Sequence, residues 1–305
     1  MSIRVESLVK SYGLQRAVDS VSFELKKGEI AGFIGPNGSG KTTTMKCICG
    51  ILPPDSGIIE IEGINVQKDI LKVKEIIGYL PEHNPLYNEM FVKEYLLHVA
   101  RYYLKREESH KKVKEIIEAT GLMAEQHKKI GELSKGYKQR VGFAQAIIHD
   151  PKVLILDEPT SGLDPNQIVE IRNLISGFSK DITVLLSTHI LQEVEAICDR
   201  IIIINHGKIV ADGTSKNIRL SDNNESQTIY AEFNEPVNRE LLINIKGVIK
   251  VEAVSACEFL FAGRADDDLR EKIFNFALES RLKLLTIQKK EETLEEAFRK
   301  LTLHR

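Results

Sequence analysis

Residues Gly35-Pro36-Asn37-Gly38-Ser39-Gly40-Lys41-Thr42 fill the spacing G-x-x-x-x-G-K-[ST], the pattern that most narrows what this chain can fold into. The segment before it, Glu29-Ile30-Ala31-Gly32-Phe33-Ile34, reads as a short buried strand, and Thr43-Thr44-Met45-Lys46-Cys47-Ile48 opens a helix. Strand, glycine-rich turn and helix in that order make a cradle for nucleotide phosphates. Small residues let successive backbone N–H groups curve around an anion, Lys41 reaches the β- and γ-phosphates, and the Thr42 hydroxyl suits Mg²⁺. The positive end of the helix dipole points at the same anion. An ordinary glycine-rich turn would need none of this flanking context.

A second segment supplies acid groups. Val153-Leu154-Ile155-Leu156-Asp157-Glu158 is four apolar residues followed by two carboxylates, which places both at the carboxyl end of a buried strand, where α/β sheets bind ligands. Neighbouring positions point to opposite sides, so Asp157 is suited to the Mg²⁺ and Glu158 to the water that attacks the γ-phosphate.

From Ile3 to about Gly213 strands and helices alternate, the pattern of a sheet covered by helices. Val153–Leu156, Ile182–Leu186 and Arg200–Ile204 read as core strands. Asp164 reads as the N-cap of a helix with Pro165 at its first position and Ile168, Ile171, Leu174 and Phe178 on one face. A helical stretch from about Lys93 to Ala119 interrupts the strand rhythm and predicts an inserted helical subdomain. The polar run Ser221-Asp222-Asn223-Asn224-Glu225-Ser226 marks a boundary or linker. Beyond it the order is strand 228–233, helix 238–245, strand 248–254, strand 258–262, helix 266–279, strand 283–288 and helix 292–301. That is a ferredoxin-like α+β unit with one added helix.

At 305 residues there is room for a nucleotide-binding core and a small second domain. Lys+Arg 42 against Asp+Glu 44 gives a formal charge of −2, so no global basic field draws the chain to nucleic acid or anionic lipid. Lys111-Lys112 and Lys128-Lys129 interleave with Glu on solvated helix faces. No apolar run approaches the roughly 20 residues that span a bilayer. The N-terminus Met1-Ser2-Ile3-Arg4-Val5-Glu6 lacks a secretion pattern and predicts a cytoplasmic chain. Cys47, Cys49, Cys198 and Cys257 lack metal-ligand spacing and read as free thiols.

Upstream of the carboxylates, Leu133-Ser134-Lys135-Gly136-Tyr137-Lys138-Gln139-Arg140 resembles the signature loop of the ABC ATPase family, whose usual form is L-S-G-G-Q, and Leu133 stands 24 residues before Asp157. Ser161-Gly162-Leu163-Asp164 resembles the family's D-loop, and His189, in Ser187-Thr188-His189, its switch histidine. The resemblance covers about residues 2–213. It implies a P-loop NTPase core with an antiparallel β-subdomain and a helical subdomain at about 90–150, in an ATP-binding domain of residues 1–215, followed by a C-terminal α+β domain of residues 216–305.

Site roles follow from the same resemblance. Gly35, Pro36, Asn37, Gly38, Ser39, Gly40, Lys41, Thr42 and Thr43 hold ATP, and Tyr12 stacks on adenine. Lys41, Glu158 and His189 carry catalysis, while Thr42, Asp157 and Glu82 hold Mg²⁺. Glu82 occupies the Q-loop place where many relatives carry Gln, and brings a full negative charge. Ser134, Gly136 and Asp164 complete the site of an opposing subunit, identical or paralogous, so the functional unit is a dimer. Lys135, where the family has Gly, adds a positive charge near the opposing phosphates.

Taken together, the resemblance implies an ATPase subunit of an ABC transporter, peripheral on the inner face of the membrane through a separate integral-membrane permease. Leu80-Pro81-Glu82, the signature loop and the tail Leu294-Glu295-Glu296-Ala297-Phe298 resemble the ABC-2-type exporters, including gliding-motility transporters. The C-terminal unit is open to a regulatory, dimerising or structural role. DNA-repair or ribosomal relatives would carry a coiled-coil insertion, a zinc-ligand set or a second ATPase domain, none of which is visible. A nucleotide sensor without turnover would lack Lys41, Asp157, Glu158 or His189, and all four are present.

Overall fold

Gly13, at φ +59°, and Leu14 turn β1 (Ile3–Tyr12) back into β2 (Gln15–Leu25) as an antiparallel hairpin. The chain then enters β3 (Ile30–Ile34), all of whose residues are buried, and after the glycine-rich turn it forms α1 (Lys41–Ile48). β4 (Ser56–Ile61) and β5 (Ile64–Asn65) return to the hairpin, giving a four-stranded antiparallel sheet in the order β2-β1-β4-β5. A computed structural model describes residues 1–178, 182–220, 226–264, 268–290 and 293–303.

The second layer is a six-stranded sheet. After α2 (Ile70–Ile76) come β6 (Ile77–Leu80), the helical insertion, β7 (Val153–Asp157), α6 (Pro165–Phe178), β8 (Thr183–Thr188), α7 (Leu191–Ile197), β9 (Arg200–Asn205) and β10 (Lys208–Gly213). The order is β10-β9-β3-β8-β7-β6, parallel except for β10. Period-two alternation between two covered faces explains why β3 and β7 are apolar up to Asp157. Val153 and Ile155 face one core with Ala31, Phe33 and Leu185, against α1 and the antiparallel sheet. Leu154 and Leu156 face the other with Val184 and Leu186, against the helices. Each Val, Leu, Ile or Phe so buried is worth about 1.5–3 kcal/mol.

The insertion comprises α3 (Val92–Ala100), α4 (Arg106–Ala119), a 3₁₀ turn at Ile130–Glu132 and α5 (Lys135–Ile147). The stretch expected from Lys93 to Ala119 therefore breaks at 101–105. There the Tyr103 ring stacks on His149 with centroids 4.3 Å apart, and Lys105 adopts extended backbone ahead of α4. In α6 the buried residues are Ile171 and Ile175, with Leu174 and Phe178 half-buried, so its inward face lies slightly off the stripe through Ile168.

The chain divides into two compact units, Met1–Thr214 and Ser215–His304. The second holds α8 (Ser215–Leu220), β11 (Ser226–Phe233), α9 (Arg239–Leu242), β12 (Val248–Ala253), β13 (Glu258–Arg264), α10 (Leu269–Glu279), β14 (Leu284–Lys290) and α11 (Leu294–Leu303). Its sheet runs β12-β13-β11-β14, antiparallel throughout, which is the ferredoxin-like order. Ile229, Ala231, Phe233, Phe259 and Phe261 form its core with α10. Residues 221–225 of the polar run read as a linker, and the expected helix starts at 266 and 292, lie outside the described residues.

Candidate active site

The parallel sheet brings four loops to one edge. β3 ends at Ile34 before the glycine-rich turn, β7 ends at Asp157, β8 ends just before His189, and β6 ends just before Pro81 and Glu82. β8 lies between β3 and β7, with Thr188 paired to Ile34 and Ser187 to Asp157. Residues far apart in sequence thereby meet at the carboxyl edge, where such sheets bind ligands.

Backbone shape comes first in the turn. Gly40 is the residue before α1 at φ +110°, and a Cβ there would lie 2.4 Å from Ala17 O. A Cβ on Gly35 would lie 2.2 Å from Ile204 O. Ser39 N donates to Pro36 O at 3.1 Å, and Gly207 N donates to Ser39 O at 2.9 Å, which locks the turn against β9 and β10. Gly40→Ala combines a clash with left-handed backbone worth about 1–3 kcal/mol of strain, and so weakens ATP binding by roughly tenfold or more. Titration of a fluorescent ATP analogue, with a circular dichroism spectrum to show retained fold, checks this.

The charged groups then converge. Lys41, buried, donates from Nζ to Gly35 O at 2.8 Å and to Pro36 O at 3.2 Å, and lies 3.8 Å from Glu158 Oε1. Thr42 Oγ1 donates to Asp157 Oδ1 at 3.2 Å, and Ser187 Oγ donates to the same oxygen at 2.7 Å. Ser187 also accepts from Glu158 N at 2.9 Å, so one hydroxyl fixes both acidic residues. Glu158 takes φ +50°, a left-handed conformation costly for a non-glycine residue and common where function fixes geometry. Its Oε2 accepts from half-exposed His189 through Nδ1 at 2.8 Å. Burial pulls the Lys41 ammonium below the usual lysine range, and the carboxylates of Glu158, Asp157 and Glu82 pull the other way.

Other expected residues lie further out. Tyr12 closes β1 and is half-exposed at 51%. Glu82 is exposed after β6, and its charge reaches Lys41. Ser134 caps α5 by accepting from Tyr137 N, and Asp164 accepts from Gln167 N at 3.0 Å at the start of α6. Among the described residues neither Ser134, Gly136 nor Asp164 hydrogen-bonds the phosphate turn of its own chain. The signature loop meets its own D-loop and the start of α6: a Cβ on Gly162 would lie 2.1 Å from Lys135 Nζ, and one on Gly136 would lie 2.7 Å from Gln167 Cδ. Ser187 is not among the expected site residues. The sequence signal for Ser187 is a hydroxyl directly after the apolar run Val184-Leu185-Leu186.

The family model described as ABC transporter matches residues 18–161. The linearmycin resistance ATP-binding protein LnrL of Bacillus subtilis (strain 168) is 34% identical over 98% of this chain and 98% of its own. This chain belongs to the family of ABC transporter ATP-binding proteins. The bacitracin transport ATP-binding protein BcrA of Bacillus licheniformis is 36% identical, covering 98% of this chain and 96% of its own. A solved ATP-binding subunit of an ABC transporter superposes with TM-score 0.66 at 32% identity, covering 72% of this chain and 93% of that one. As an ATP-binding subunit of an ABC transporter the protein is an ATPase that uses ATP and Mg²⁺. Its residues fit both: Ser39 Oγ is buried with no protein partner among the described residues. Thr42 and Asp157 offer hard oxygen donors of the kind Mg²⁺ takes.

Proposed function

We propose that this ABC subunit, paired with a second copy or a paralogue, closes on two ATP molecules and drives an exporter through a separate integral-membrane permease. The observation that carries the reading is the meeting of Lys41, Asp157, Glu158 and His189 at the ends of three strands. Thr42 and Asp157 would hold the Mg²⁺, which when bound would supply positive charge against the charge that builds on the phosphates. Lys41 exchanges the Gly35 and Pro36 carbonyls for β- and γ-phosphate oxygens, and backbone N–H groups of the turn and of the start of α1 take the rest of the phosphate charge. Glu158, steered by His189, orients the water that attacks the γ-phosphorus in line and draws off its proton as the bond to the β–γ bridging oxygen breaks. Ser134, Gly136 and Asp164 serve the nucleotide of the opposing chain, a role supported by their lack of bonds to their own phosphate turn. Glu82 adds an acidic group beside the metal.

Tyr12 supports adenine by stacking. Tyr12→Ala weakens ATP binding by about 1–3 kcal/mol, roughly 5- to 150-fold, with kcat at saturating ATP little changed. Equilibrium titration with ATP beside steady-state phosphate release reads the two effects apart.

LnrL and BcrA carry names that speak of linearmycin resistance and bacitracin transport. Export of an antibiotic-like compound is the cargo class we infer, with the subunit held peripherally at the cytoplasmic face by its permease. The kinship with gliding-motility transporters expected from Leu80-Pro81-Glu82, the signature loop and the tail has no counterpart in those names. Among the described residues no helix is long and apolar enough to cross a membrane. Cells lacking the subunit become more susceptible to linearmycin or bacitracin if the cargo class is right, and unchanged inhibitory concentrations for both contradict it.

A further inference from the structure

The loops that carry Glu158 and His189 are joined by a buried carboxylate that the mechanism above leaves unused. Glu193, in the first turn of α7, is 2% exposed. Its Oε2 accepts from Thr160 Oγ1 at 2.7 Å and from Thr188 Oγ1 at 2.9 Å. Thr160 is two residues past Glu158, and Thr188 directly precedes His189. Thr188 Oγ1 also accepts from Ile190 N at 3.0 Å, so the chain is held on both sides of His189. Both hydroxyls belong to buried residues, and Glu193 Oε1 has no partner among the described residues. A carboxylate buried with one oxygen unmatched costs stability rather than adding to it. What it supplies is geometry: one oxygen ties together the two segments whose spacing sets the 2.8 Å contact between His189 and Glu158. The tie acts on a backbone already in a strained conformation at Glu158.

We propose that Glu193 is a positioning residue for ATP hydrolysis: by holding Thr160 and Thr188 on one carboxylate oxygen, it fixes the His189 imidazole against the Glu158 carboxylate without touching nucleotide. This rests on the assignment of Glu158 and His189 as a working pair. Misplacement of a reacting group by about 1 Å costs on the order of 100-fold in rate, so loosening this tie shows in kcat and leaves ATP affinity alone.

The test is a double-mutant cycle on the full-length chain, read by phosphate release and by ATP affinity. Glu193→Ala lowers kcat by about 10- to 50-fold, with ATP affinity within about threefold of wild type. Glu193→Gln keeps an acceptor oxygen for both hydroxyls and recovers kcat to within about threefold. In a His189→Ala background, Glu193→Ala costs less than about threefold more, because the group it positions is gone. Equal losses in both backgrounds, or ATP affinity falling in step with kcat, overturn the proposal in favour of a structural role. If Glu193→Ala does not fold, Thr160→Val and Thr188→Val each remove one hydroxyl bond at similar volume; kcat falls by about three- to tenfold, and an unchanged kcat in both overturns the proposal. A slow His189→Ala with a normal Glu193→Ala removes the positioning role alone, whereas a normal His189→Ala removes the Glu158–His189 pair itself.

Discussion

Glu158→Gln slows ATP turnover by about 10²- to 10³-fold, within the range that a positioned acid–base group contributes, and leaves ATP binding intact. The side chain is nearly isosteric, so its buried place 3.8 Å from Lys41 and its contact with His189 remain sterically available. The amide, however, cannot take a proton from the attacking water. Loss of the carboxylate charge also removes repulsion toward the γ-phosphate, so affinity for ATP holds or rises, and an ATP-bound form accumulates because its exit by hydrolysis is slow. Phosphate release measured beside ATP affinity separates these effects. Turnover at the wild-type rate would show that Glu158 is not the group that acts on water, whatever its geometry.

Lys41→Ala acts on the other side of the reaction, on binding. The ammonium is buried, burial already works against its charge, and the carboxylates of Glu158 and Asp157 help to keep it charged. Removing it leaves those carboxylates facing the phosphates without their counter-charge. Truncating one partner of a buried, hydrogen-bonded charge pair costs about 2–5 kcal/mol, which at about 1.4 kcal/mol per tenfold is roughly 30-fold to above 1,000-fold in ATP affinity. Lys41→Arg does not rescue it, because the branched guanidinium is too large for a site shaped by Gly35, Pro36 and Ser39. Calorimetric titration with Mg·ATP measures the loss, and affinity within threefold of wild type would contradict it.

Much of this site is legible in the sequence because its parts are local. The phosphate turn needs a strand, left-handed glycines and a helix start within about 20 consecutive residues, and each of these leaves its own mark. The Asp157-Glu158 pair is marked by the four apolar residues before it. Ser187 also follows an apolar run, but that does not reveal its partners Asp157 and Glu158, which are joined to it through strand register. Glu193 is still less legible, since a glutamate in a first helical turn normally reads as a solvated residue that favours the helix dipole. The break between α3 and α4 follows from the stacking of Tyr103 on His149, a contact across 46 residues that helical periodicity cannot show. In the C-terminal unit the strand order follows from alternation and turn spacing, whereas element ends shift by one to three residues, as at Asn238, which caps a helix that begins at Arg239. Lys135 lies over Gly162 of its own D-loop, a contact across 27 residues that spacing alone does not show.

One measurement bears most directly on the claim that this chain is the ATP-hydrolysing subunit of a transporter. The tagged chain is captured from detergent-solubilised membranes, bound proteins are identified by mass spectrometry, and phosphate release by the complex is compared with that of the chain alone. The account predicts a multi-spanning membrane protein in fixed proportion to the chain, with Mg·ATP-dependent phosphate release that disappears in Glu158→Gln. Ribosomal or DNA-associated partners with no membrane protein, or a complex whose phosphate release survives Glu158→Gln, would contradict it.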